Sequence, residues 1–179
     1  MQPISLNRRD IIHGLAVLLG ASALPASALA APRESAPSLP APTFKLLTAV
    51  ADTLMPRTDT PGAVDAGVPR LFDALLTNWA APATRATLLE ALACIDAAAH
   101  PRGFAALPAK ERTAMLAAHD AAHFAEPGYN RLRELLLVLY YSSEPGATVE
   151  LRYEHAPGAY EPSLPITPQT RAWAGAGYV

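Results

Sequence analysis

Cysteine is almost missing from this chain. Of its 179 residues only Cys94 is one, so no disulfide closes within it. Set among Leu92, Ile95 and alanines in a helical stretch, Cys94 reads as a small buried apolar residue with no neighbouring base to activate its thiol. Lysine is equally scarce: Lys45 and Lys110 stand alone, and arginine carries the positive charge. With a formal net charge of −2 and no basic cluster beyond the N-terminus, the chain lacks the electrostatic footprint that a nucleic-acid partner requires. Valine and isoleucine are few, which argues against a sheet-built core. Alanine and leucine supply most of the apolar half of the chain and head the helix-propensity scale.

Chemical signatures are missing too. No glycine-rich dinucleotide turn, phosphate-cradling loop, nucleophile elbow or haem-attaching Cys-x-x-Cys-His occurs. The expectation is a mainly α protein: a small single-domain bundle of about five helices with an irregular C-terminal segment and no catalysis of its own.

What is present begins with an address. Arg8-Arg9, polar just before and apolar just after, precede a short apolar run from Gly14 to Leu24. Ala28-Leu29-Ala30 then fits a small-x-small cleavage site. The run is too short to span a bilayer. The paired arginines resemble a twin-arginine export signal over residues 1–30, which predicts a periplasmic destination.

Residues 31–42, rich in Pro, Ala and Ser, read as an extended linker, with Thr43 as the N-cap of the first helix. In that helix Phe44, Leu47, Val50 and Leu54 form an apolar stripe that ends at Pro56. Lys45 and Asp52 fall off it. Helices are expected from Pro69 to Trp79, with Phe72, Leu75, Leu76 and Trp79 on one face, and from Thr84 to Ala99. Two more follow, Ala109 to Phe124 and Tyr129 to Tyr141, with Pro127-Gly128 breaking the chain between them. A short extended piece is expected around Val149 to Tyr153. The domain proper is placed at 43–165 and a loosely held tail at 166–179.

Three clusters invite a chemical reading. His119 and His123, one turn apart, have metal-ligand spacing, although no third ligand is marked and Asp120 is shorter than the glutamate of zinc-enzyme motifs. A stand-alone periplasmic metal-binding protein is the alternative this pair supports. Asp52, Asp59 and Asp65 could gather a cation, but their spacing fits no calcium loop and turn-making explains them more simply. Ser142, Ser143, Glu144 and His155 contain the residue types of a hydrolase, yet Ser-Ser-Glu after a helix reads as a cap and turn.

Three further stretches carry a resemblance. Ala51-Asp52-Thr53-Leu54-Met55-Pro56 runs into Asp59-Thr60-Pro61-Gly62-Ala63. Ala66-Gly67-Val68-Pro69 is followed by Phe72-Asp73 and Trp79. Tyr140-Tyr141-Ser142-Ser143-Glu144-Pro145-Gly146 closes the last helix. Together, and with the leader, they are similar to the gluconate 2-dehydrogenase subunit 3 family.

The resemblance implies a small subunit that binds no cofactor itself and helps its partner mature and pass the twin-arginine translocase. That partner is a glucose–methanol–choline-type flavoprotein holding FAD, with a cytochrome subunit carrying haem c as a possible third component. Tyr140 is expected to close the chain's own core. Asp59, Pro61, Gly62, Tyr141, Glu144, Gly146, Tyr153 and Tyr160 are expected to meet the partner, since tyrosine offers rigid contact area with a polar tip.

Overall fold

Proline starts the helices. The computed structural model describes residues 37–154, 158, 163 and 165–174; the leader with Arg8 and Arg9, together with His155 and Tyr160, lies outside the described residues. Within them run five α-helices: α1 Ala41–Leu54, α2 Val68–Asn78, α3 Pro82–Ala98, α4 Ala109–His123 and α5 Pro127–Tyr141. In α1, α2, α3 and α5 a proline occupies the first or second position, and none of the five has a side-chain cap. Proline's fixed φ suits the first turn, and its missing N–H would have gone unbonded there anyway. Thr43 is therefore no cap: Pro40 precedes the helix and residues 41–42 belong to it. Pro127 likewise opens α5 instead of breaking the chain.

The bundle expected from composition is the one that forms. Helix α1 packs against α2, α4 and the 3-10 turn Phe104–Ala106, while α5 lies on α2 and α3. Leu47, Phe72, Leu76, Leu92, Ile95 and Leu136 are wholly enclosed. Each such side chain stabilises the fold by about 1.5–3 kcal/mol of apolar burial. No described helix is long and apolar enough to cross a membrane.

Five further expectations are corrected in whole or part. Cys94 is exposed: the inward face of α3 is set by Leu88, Leu92, Ile95 and Ala99, and at 3.6 residues per turn residue 94 points roughly 120° away from it. Trp79 is 63 % exposed, because it lies one position past the end of α2, where the shared face has run beyond the core. Of the piece expected to be extended, Val149 and Glu150 instead end a π-helical turn, Gly146–Glu150, while Leu151 is extended and Arg152 lies in a β-bridge.

The start of the tail is also tied down. Arg152 and Trp173 form an isolated parallel bridge, with Arg152 N–H donating to Ala172 C=O at 2.8 Å and Ala174 N–H to Arg152 C=O at 2.9 Å. The Arg152 guanidinium also lies 4.2 Å above the Trp173 ring, a cation–π contact.

The end of the linker is no free strand either. Asp73, buried on α2, accepts hydrogen bonds from Ser38 N–H at 2.8 Å, Ser38 Oγ at 2.7 Å and Leu39 N–H at 2.9 Å. Leu39 is buried by this clamp.

Candidate functional site

The conserving geometry of α5's last turn is simple: successive residues differ by 100° around a helix, so Tyr140 and Tyr141 cannot both face the core. Tyr140 is buried and Tyr141 is 41 % exposed, their rings meeting edge to face at 5.1 Å. The Tyr140 hydroxyl donates to the Pro61 carbonyl at 2.7 Å. It thus joins the end of α5 to the loop between α1 and α2. A second staple runs alongside it, from the buried Thr60 hydroxyl to the Glu150 carboxylate on the π turn. Burial, followed by the charge of Glu150, pushes the Tyr140 phenol above its ordinary pKa.

Two glycines let these segments approach. A Cβ on Gly62 would stand 2.6 Å from the Arg57 nitrogen and 2.9 Å from the Met55 carbonyl oxygen. That carbonyl accepts the Ala63 N–H at 2.9 Å. A Cβ on Gly146 would stand 2.0 Å from the Tyr140 carbonyl oxygen. Gly62 and Gly146 are buried within the chain, and the close approach each permits is to this protein's own backbone. At the loop's far end Gly67 has φ 72° immediately before α2, a left-handed conformation that a side chain disfavours.

The acids of the loop have separate partners. Asp65 accepts the Gly62 N–H at 2.9 Å and pairs with Arg57. Asp59 pairs with Arg171 of the tail at 2.7 Å, and Asp52 with Arg112 of α4 at 3.1 Å. Hydrogen bonds from Arg171 and Arg57 hold the Asp59 and Asp65 carboxyls below their ordinary range. The three aspartates do not converge, so the cation reading gives way to the turn-making one.

Outward from these staples lies a ledge. Tyr141, Glu144, Val149 and Tyr153 are exposed on it, Val149 by 46 % and Tyr153 by 54 %. Pro61 is half-buried and Asp59 exposed. The structure thus brings Asp59, Pro61 and Gly62 together with the end of α5 and the π turn, through contacts the sequence did not reveal. Ser143 serves the turn, its hydroxyl donating to the Tyr140 carbonyl at 2.5 Å and accepting the Gly146 N–H at 3.2 Å.

The histidines sit elsewhere, at the hairpin between α4 and α5. Their rings stack at 4.2 Å, 28° from parallel, which presents ring faces rather than converging nitrogen lone pairs. His119 is buried edge-on to Tyr129, and His123 Nδ1 lies 2.7 Å from Glu126. Among the described residues no group of three His, Cys, Asp or Glu side chains gathers as a metal site. Tyr129 donates to Asp120 at 3.1 Å, and burial first, then that bond, pushes its phenol up to about 12.

Desolvation, followed by the neighbouring His123, lowers the His119 pKa. A histidine with a depressed folded pKa binds fewer protons than in the unfolded chain, so stability rises with pH. Its contribution is full above the unfolded value of 6.5 and declines as pH falls below it toward the folded pKa. Thermal melts should therefore be lower at pH 5.5 than at pH 7.5, with the difference reduced in His119→Phe; equal slopes in both proteins would show that His119 does not carry it.

Against known families, the chain matches the model described as gluconate 2-dehydrogenase subunit 3 over residues 41–158. It belongs to that family. No curated protein and no solved structure matches the chain. The match opens on the first residue of α1 and runs past the π turn, so the family region of this gluconate 2-dehydrogenase subunit 3 member contains both halves of the stapled loop and turn. Family membership makes it a subunit of a gluconate 2-dehydrogenase-type complex, with partner subunits implied.

Some residues that matter here were not found by sequence reasoning. Asp73 and Glu150 each make a long-range contact to a segment 35 or 90 positions away, and Asp96 accepts the Phe104 N–H at 2.8 Å to hold the 3-10 turn. Asp73 left one legible sign, a carboxylate in the middle of the Phe72–Leu76 apolar stripe.

Proposed function

We propose that this chain is the small, non-catalytic subunit of an FAD-dependent sugar or sugar-acid dehydrogenase, and that it helps the flavoprotein subunit mature and carries it through the twin-arginine translocase to the periplasm. The ledge supports this reading: Tyr141 at the end of α5, Val149 on the π turn and Tyr153 just after it are exposed on a segment held by Tyr140–Pro61 and Thr60–Glu150. Large aromatic side chains on a rigid support are what protein interfaces favour. Asp59, Glu144 and Tyr160 extend the proposed contact. FAD belongs to the flavoprotein and haem c to a cytochrome subunit that accepts its electrons.

The test is co-expression with the flavoprotein subunit of the same genome. With the wild-type chain, dehydrogenase activity is expected in the periplasmic fraction; with Arg8→Lys/Arg9→Lys it should stay in the cytoplasm, at least tenfold reduced outside. Export of the flavoprotein in cells lacking this chain would overturn the escort. In the purified pair, Tyr141→Ala/Tyr153→Ala should weaken association at least tenfold, since tyrosine is enriched among the few interface residues that carry most of the binding energy.

A further inference from the structure

At the other end of α1 lies a groove that the ledge does not account for. It is open to solvent, has a volume of about 810 Å³, and runs between the first turn of α1, the outer face of α3 and the 3-10 turn. Leu39, Leu46 and Leu92 back it as core side chains, and half-buried Leu89 gives it apolar surface. Ala93 and Ala97 keep the α3 wall low, and Lys45 and Arg85 stand at its margins.

The charges at the groove do not cancel. Asp96 is used internally, accepting the Phe104 N–H, and Arg102 is matched by Glu111 at 2.5 Å. Lys45 and Arg85 make no ion pair with any described residue. The first turn of α1, which reaches into the groove, has no acidic residue and no side-chain cap, so its partial positive charge adds to theirs. Lys45 and Arg85 outweigh the Asp96 carboxylate, the one acid lining the groove, so a net positive charge beside apolar surface selects an occupant with apolar anchors and carboxylates.

We infer that this groove is a second docking site, for an acidic, apolar-anchored peptide segment of the flavoprotein subunit. The inference rests on the reading above and adds to it. Ledge and groove lie at opposite ends of α1, whose 14 residues span about 20 Å at 1.5 Å per residue, so the partner is held at two separated points. Leu89, with Ala93 and Ala97 beside it, takes the anchors, and Lys45 and Arg85 take the carboxylates.

A photo-crosslinking amino acid placed at Ala93, with the same group at Ala117 on the exposed face of α4 as control, tests this in the co-expressed complex. Ala93 is exposed, so the replacement leaves the core alone, and an unchanged melt verifies it. The expected result is a crosslink from position 93, and not from 117, to a flavoprotein peptide rich in Asp or Glu. Lys45→Glu/Arg85→Glu should reduce its yield at least tenfold while the ledge contact keeps the two chains together.

If the complex forms but position 93 captures nothing, a lipid, a second copy or this chain itself, the groove inference is overturned and the escort stands. A partner peptide without acidic residues also overturns it. If no complex with the flavoprotein forms even for the wild-type chain, the escort reading fails and takes this one with it.

Discussion

Gly146→Ala is expected to destabilise the protein by about 3 kcal/mol or more, at the upper end of what overpacking costs. The added Cβ would fall 2.0 Å from the Tyr140 carbonyl oxygen, 2.8 Å from its carbon and 3.1 Å from the Tyr141 Cα. All three are backbone atoms, so no rotamer change relieves the overlap; either the last turn of α5 or the π turn must shift. A shift breaks the Ser143-centred turn and draws Glu150 from Thr60. The melting temperature should fall by roughly 10 °C for a domain of this size. Gly158→Ala is the control, because nothing lies within 4 Å of its Cβ position. A melt of Gly146→Ala within 2 °C of wild type, taken as roughly half a kcal/mol, would show that the turn adapts and does not depend on a bare backbone there. The same substitution should weaken binding of a partner at Tyr141 and Tyr153, because both hang from the displaced segment.

Asp73→Ala is expected to cost about 2–4 kcal/mol, from the loss of hydrogen bonds to a charged acceptor and the stranding of two donors. Ser38 and Leu39 N–H both end on this carboxylate, and Leu39 is buried beneath the clamp. Released, residues 37–40 should become sensitive to proteases, while α3, α4 and α5 keep their amide protection in hydrogen exchange. Asp73→Asn retains one acceptor oxygen and should recover part of the loss. Uniform loss of protection across all five helices, or none around Ser38, would contradict a local clamp. The groove beside Leu39 should lose its shape along with the strap, so this variant also lowers crosslinking from position 93.

The helices were legible because their signal is local. Leu47 and Val50 on α1, and Leu88, Leu92 and Ile95 on α3, repeat at three and four residues and are buried as that period requires. Helix starts were less legible: with Thr43 near Pro40 and Pro42, capping chemistry and proline geometry compete, and proline won. Cys94 misled because its apolar neighbours suggested burial, although angle around the helix decides it.

At the candidate site, the split between Tyr140 inside and Tyr141 outside could be read from helical rotation alone. The roles of Gly62 and Gly146 could not, since each is fixed by backbone that arrives through tertiary folding. Glu150 was unreadable for the same reason: its partner Thr60 lies 90 residues earlier. A π turn leaves no period-3.6 or period-2 trace, so Val149 and Glu150 read as part of the extended piece that in fact begins at Leu151.

The double staple at the ledge has a consequence for how a complex forms. Ordering a flexible backbone costs about 1–2 kcal/mol of conformational entropy per residue. Thr60, Pro61 and the Gly146–Glu150 turn are already fixed by Tyr140, Glu150 and two close backbone approaches. That cost is met when the subunit folds and does not recur at the encounter. Association then pays the translational and rotational cost of any encounter but little backbone ordering at these residues, and differences among ledge variants should appear in how long the complex lasts rather than in how quickly it forms.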